Sequence, residues 1–267
     1  MTYTIAVSGK GGTGKTTFTG LLIDYLMSQK KPILAVDADP NANLHEVLGV
    51  GYDRCIADIR DDTLKQLPEY KSMPKDRLIE YLLHQTLVER EEFDLLVMGR
   101  PEGQHCYCFV NSLLRRHLDV LSDSYDYIIM DNEAGMEHLS RMTTRDVDLL
   151  IIISDPSVRG LRTAVRISEL VEELAIPVSQ HVLMINKVRP AIEKEIIQRA
   201  KEFGFSNIFL LPEDATARRF DEEGKPLAAL PTNNPLKEAI KAFGQQISKK
   251  DLVGSVQEKE KENIQVS

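Results

Sequence analysis

Gly9-Lys10-Gly11-Gly12-Thr13-Gly14-Lys15-Thr16 has the residue types and spacing that wrap a chain of phosphates. Glycines let successive backbone N–H groups turn inward around phosphate oxygens, and a helix starting behind them adds its positive end. Lys15 would reach the β- and γ-phosphates, and the Thr16 hydroxyl would ligate Mg²⁺. Without context the same string reads as a glycine turn between a strand and a helix, so the flanks decide. Before it, Thr4-Ile5-Ala6-Val7 reads as a strand. After it, Thr16, Thr17, Leu21, Leu22 and Leu26 open a helix. Gly11, Gly12, Thr13, Gly14, Lys15, Thr16 and Thr17 are therefore the expected nucleotide-holding set, with ATP or ADP and Mg²⁺ as ligands.

Acidic residues follow at the ends of apolar runs. Val36-Asp37-Ala38-Asp39-Pro40 closes the second run, beside the loop if the sheet is parallel. Ile128-Ile129-Met130-Asp131 has the form of a Walker B strand, whose carboxylate would hold Mg²⁺ through water. Taken alone, Asp131 has a lesser alternative reading as a helix cap. Met184-Ile185-Asn186-Lys187 and Pro212-Glu213-Asp214 also close apolar runs, which puts them on the ligand-binding edge of a parallel sheet. The other reading of Asn186 is a turn residue.

Cys106 and Cys108 stand in a loop that follows a strand and leads into the helical spacing of Leu113, Leu114 and Leu118. A helix amino terminus lowers a thiol pKa and favours thiolate, the metal-binding form. Two thiolates are too few for a closed site, but a two-fold dimer would supply four. Two inert small side chains or a redox pair would explain a bare Cys-x-Cys as well. His105 reads as an exposed loop residue, and Cys55 as a partly buried spectator.

The elements that must position these groups alternate. Apolar runs at Tyr3–Val7, Ile33–Val36, Leu95–Met98, Tyr127–Met130, Leu149–Ile153, His181–Ile185 and Ile208–Leu211 lack in/out alternation, as parallel strands buried on both faces do. Helical spacing fills Thr16–Met27, Lys75–Glu91, Leu161–Leu174 and Glu193–Phe203. The expected fold is α/β: a P-loop NTPase with a mostly parallel twisted sheet and helices on both faces. Residues 1–247 would form one domain, with 52–93 as a variable helical insertion. Residues 248–267, rich in charges that cancel, read as a disordered tail.

Bulk properties narrow the partners. A chain of 267 residues, 42% hydrophobic and 28% charged, can bury a full core. Its net charge of -8 gives no general reason to bind nucleic acid or an anionic membrane. No run is long and apolar enough to span a bilayer, and no signal-peptide layout opens the chain, so a cytoplasmic location is expected. Three cysteines make no disulfide framework, which points to reduced thiols.

The string Lys10-Gly11-Gly12-Thr13-Gly14-Lys15-Thr16-Thr17 resembles the deviant Walker motif of the MinD/ParA/nitrogenase-iron-protein class. The resemblance implies a homodimer in which Lys10 crosses to the partner's nucleotide. It also implies that Asp39 orients the attacking water and that Asn132-Glu133-Ala134-Gly135 senses the γ-phosphate. Asn186 and the segment after the last strand would hold adenine and ribose. Within that class, Arg100-Pro101-Glu102-Gly103 followed by Cys106-Tyr107-Cys108 and Asn111 resembles the CooC/AcsF group of nickel-insertion ATPases. So do Gly135-Met136-Glu137-His138-Leu139 and Ile185-Asn186-Lys187-Val188. This group implies that paired Cys106 and Cys108 bind Ni²⁺ or Zn²⁺, and that ATP hydrolysis drives nickel into carbon monoxide dehydrogenase or acetyl-CoA synthase. Residues 52–93 match nothing in it. Two other roles remain open within the class: an iron–sulfur redox ATPase like the nitrogenase iron protein, and a positioning ATPase like MinD or ParA.

Overall fold

The structure is a computed structural model that describes residues 2–59, 75–100, 114, 115, 118, 121–133 and 147–247. Among the described residues the strands are β1 (Tyr3–Gly9), β2 (Ile33–Ala38), β3 (Leu87–Glu89), β4 (Asp94–Val97), β5 (Tyr127–Asn132), β6 (Val147–Ser154), β7 (Val178–Val188) and β8 (Ile208–Pro212). They form one eight-stranded sheet in the order β3-β4-β2-β5-β1-β6-β7-β8. Every pairing is parallel except β3 with β4. Each residue of β2 and β5 is buried, and so is all of β1 after Tyr3. Since successive side chains point to opposite faces, unbroken burial means that both faces are covered.

Among the helices are α1 (Lys15–Met27), α2 (Leu44–Leu48), α3 (Lys75–His84), α4 (Val158–Glu173), α5 (Glu193–Glu202), α6 (Ala215–Glu222) and α7 (Pro235–Gln246). Helix α1 is the central one. Phe18, Leu21, Leu22, Ile23 and Leu26 are all buried, and the Phe18 ring meets Phe243 of α7 edge-on at 5.9 Å. Helices α4, α6 and α7 each start with a side-chain cap, from Ser157, Asp214 and Asn234 respectively. Helix α1 has none, and no acidic residue sits in its first turn.

One expected element divides. The helical spacing over Lys75–Glu91 stops at His84, and Leu87–Glu89 becomes an antiparallel edge strand. The Gln85 and Thr86 N–H groups bond back to Leu82 and Leu83, closing the helix in a turn. Leu87 continues the apolar period of 3.6, but a neighbour in β4 gives this stretch a ladder instead. Among the described residues, no helix is long and apolar enough to cross a membrane.

Candidate phosphate-binding site

Strands β1, β2 and β5 end together. Val7 and Asp37 both stand in register with Asp131, and Ala38 with Asn132. The expected phosphate loop leaves β1 at this edge and enters α1. Gly14, the residue before α1, has φ 92°, a left-handed conformation that glycine adopts without strain. The uncapped α1 therefore points unpaired N–H groups and its positive end into the loop, the usual arrangement for an anion.

The loop is held from inside by one carbonyl. The Lys10 carbonyl accepts the Thr13 hydroxyl at 2.8 Å, the Thr13 N–H at 3.4 Å and the Lys15 ammonium at 3.5 Å. Lys15 is only 7% exposed. Burial lowers its pKa, while the carboxylates of Asp131, Asp39 and Glu133 pull the other way. A buried ammonium with one long bond to a carbonyl is under-satisfied, which suits a group that grips phosphate oxygens. The Lys10 side chain, by contrast, is exposed.

Asp131 is 1% exposed and accepts hydrogen bonds from the hydroxyls of Thr16 and Thr19, the latter at 3.3 Å. Burial pushes its pKa up to about 6. Beside it Asp37, fully buried, is raised to about 7 by burial and by the Asp131 charge. A hydroxyl and a carboxylate make a hard oxygen donor set, and this crowded acidic pocket is relieved by a divalent cation, so the residues fit Mg²⁺.

The acidic turn after β2 is built around Asp37, which the sequence offered no reason to single out. Its two oxygens accept the N–H of Asp39 at 3.2 Å and of Leu44 at 2.8 Å, spanning the turn. Asp39 in turn accepts from the Asn41 N–H at 2.8 Å and the Asn41 amide at 3.0 Å, both on Oδ1. Thr19 was also missed; its position three residues after Thr16 on α1 was the available signal. The Asn132 amide donates to the Val7 carbonyl at 2.9 Å and so ties β5 to the root of the loop.

The remaining site residues divide. Asn186 and Lys187 reach the loop itself: the Asn186 amide donates to the Thr13 carbonyl at 2.8 Å and the Lys187 ammonium to the Gly12 carbonyl at 3.0 Å. Pro212 ends β8 opposite Val188. Glu213 is engaged in ion pairs with Arg189, at 3.0 Å, and Arg218, at 2.5 Å. Asp214 caps α6 through the Ala217 N–H at 2.6 Å and accepts the Asn234 amide at 3.0 Å. Cys106, Cys108, Ala134, Gly135 and the 136–139 stretch lie outside the described residues. Among the described residues no group of three or more His, Cys, Asp or Glu could hold a metal ion. Cys55 is a buried free thiol, raised to about 11 by burial, and it packs directly under Gly99, where the cysteine segment begins.

A family model described as the CobQ/CobB/MinD/ParA nucleotide binding domain matches residues 4–227. An uncharacterized ATP-binding protein of Methanocaldococcus jannaschii is 45% identical over 92% of this chain and 98% of its own length. The carbon monoxide dehydrogenase accessory protein CooC of Rhodospirillum rubrum is 31% identical over 82% of this chain and 87% of its own. Among solved structures, the septum site-determining protein MinD complexed with Mg-ADP from Pyrococcus horikoshii superposes with a TM-score of 0.68. That pair is 23% identical and covers 93% of this chain and 97% of the other.

Proposed function

Because the chain belongs to the CobQ/CobB/MinD/ParA nucleotide-binding family, we propose that it is a dimeric ATPase that couples hydrolysis to delivery of a metal ion. The observation that carries the ATPase half is the grouping of Lys15, Thr16 and Asp131 at one edge of the sheet, under an uncapped helix. Lys15 and the N–H groups of the loop bind and orient the β- and γ-phosphates, and Thr16 and Asp131 hold Mg²⁺. When bound, that ion neutralises charge on the phosphates. Asp39 keeps its second carboxylate oxygen free among the described residues and so can hold a water. Lys10, exposed at the mouth, reaches a partner subunit.

The metal half rests on Cys106 and Cys108 together with the accessory-protein relative, 31% identical over most of both chains. The cargo is Ni²⁺, with Zn²⁺ as the competing ion. Thiolate pairs from two subunits complete its coordination, and carbon monoxide dehydrogenase or acetyl-CoA synthase receives it. Nucleotide-driven closure would alter metal affinity, a coupling between two sites.

The test is titration with Ni²⁺ and Zn²⁺, with and without ATP, on wild type and on Cys106→Ser/Cys108→Ser. The expected result is one metal per dimer, affinity that changes with ATP, and loss of binding in the double variant with hydrolysis retained. A double variant that binds nickel as tightly as wild type would sink the cargo reading and leave the ATPase reading standing. A brown preparation absorbing near 400 nm would instead indicate an iron–sulfur cluster.

A further inference from the structure

The turn at the end of β7 touches the phosphate loop from outside, on carbonyls rather than on amides. Asn186, 7% exposed, donates to Thr13 and, through its own Oδ1, accepts the Lys187 N–H at 2.8 Å. Next to it Lys187 takes φ 60°, a left-handed conformation rare outside glycine. The turn in that conformation aims the Lys187 ammonium at Gly12. The β7–β8 register also shifts between Ile185 and Val188, so the irregularity is built into the sheet edge. Backbone strain of this kind persists only where its surroundings enforce it, and it marks a site with a task.

We infer that Asn186 and Lys187 are positioning residues for the phosphate loop, whatever contact they also make with a base. A peptide unit has its C=O and N–H on opposite sides. Pinning the Thr13 carbonyl outward therefore turns the N–H of Gly14 inward, towards phosphate, and pinning the Gly12 carbonyl holds the Thr13 N–H on the Lys10 carbonyl that shapes the loop. The fit is close: a Cβ on Gly14 would fall 2.5 Å from the Asn186 amide nitrogen, so the loop has no slack at this point. The brace preorganises the loop before any ligand arrives, which lowers the ordering cost of binding. The inference rests on the reading of this loop as a triphosphate site and adds which residues hold its shape.

A base contact and a loop brace differ in what they discriminate. Binding of Mg-ATP, Mg-GTP and inorganic tripolyphosphate is measured on wild type, Asn186→Ala, Lys187→Met and Lys187→Arg. A brace predicts that Asn186→Ala and Lys187→Met weaken all three ligands by a similar factor, about five- to ten-fold each. Lys187→Arg, which keeps the charge and a donor, recovers most of the loss. Loss of ATP affinity alone, with tripolyphosphate unchanged, overturns the inference in favour of base recognition. Unchanged binding of all three overturns it too. Lys187 is exposed, so Lys187→Met keeps the question answerable if Asn186→Ala does not fold. If wild type binds no triphosphate, the site reading itself fails, and that shows before any variant is made.

Discussion

Asp37 and Asp131 stand in register on neighbouring parallel strands, both carboxyls buried beside the phosphate loop. Two carboxylates so placed cannot both ionise cheaply, and burial adds to the cost of each. Their pKa values are raised to about 7 and about 6.

The first prediction concerns the nucleotide-free, metal-free protein. Between about pH 4 and 7 the folded chain keeps protons on Asp37 and Asp131 that the unfolded chain has released. Unfolding then liberates protons, so stability falls as pH rises through that window and is fullest below it. Denaturant unfolding at pH 5 and pH 8 should show the lower midpoint at pH 8. Asp37→Asn should flatten the upper part of the slope. A midpoint that rises from pH 5 to pH 8 would contradict it.

Lys15→Ala and Asp131→Asn address the chemistry. In the proposed site each substitution would remove charge stabilisation aimed at the transferred phosphoryl group, so ATP turnover should drop by about a hundred-fold or more. Thr19→Val, which removes only a hydroxyl from the Asp131 carboxylate, should cost about 1 kcal/mol of stability and a few-fold in turnover. Phosphate-release assays and denaturation on the same preparations separate the two effects.

Asp214→Ala should act on the fold. Its carboxylate joins the start of α6 to Asn234, the cap of α7. Loss of a cap and of a partly buried bond should cost about 1–2 kcal/mol, with ATP affinity within about two-fold of wild type. A large loss of ATP affinity without loss of stability would assign the carboxylate to ribose or base instead.

The loop, its strand and its helix were legible because glycine spacing and apolar runs are local signals. So was the neighbourhood of Thr16 and Asp131, whose side chains the structure brings into hydrogen-bond contact. Asp37 was not, since its task is to accept N–H groups from Asp39 and Leu44, and a sequence carries no mark of which backbone amides a turn strands. The β3 edge strand escaped for a similar reason: Leu87 fits a helical face until β4 offers it a ladder. Asn186 was placed at the right edge of the sheet, but its bond to Thr13 crosses 173 positions of sequence, beyond any periodicity.

Gly99 offers a test of the approach to the cysteine segment. It has φ 68°, and a Cβ there would lie 2.2 Å from the Cys55 sulfur. Gly99→Ala should therefore destabilise by about 2 kcal/mol or more, from strain and overlap together. Adding Cys55→Ala removes the sulfur but not the strain, so the double variant should recover only part of the loss. A double-mutant cycle on unfolding free energies reads the coupling. Strict additivity would mean that the thiol does not abut this turn.

Lys10→Ala separates binding from switching. The carbonyl of Lys10 organises the loop, a task that any residue's backbone performs, whereas its ammonium is exposed and has no partner among the described residues. A long exposed side chain on this loop, with no partner among the described residues, gains nothing there for the isolated subunit. If it serves a second subunit, Lys10→Ala should bind Mg-ATP within about three-fold of wild type, since no bond within its own loop is lost. ATP-dependent dimerisation should disappear, and turnover should fall by about a hundred-fold because the transition-state charge loses a cation. Sedimentation with and without ATP, paired with turnover, measures both. Equal loss of ATP affinity in the monomer would place Lys10 in its own site and remove the reason to look for a partner there.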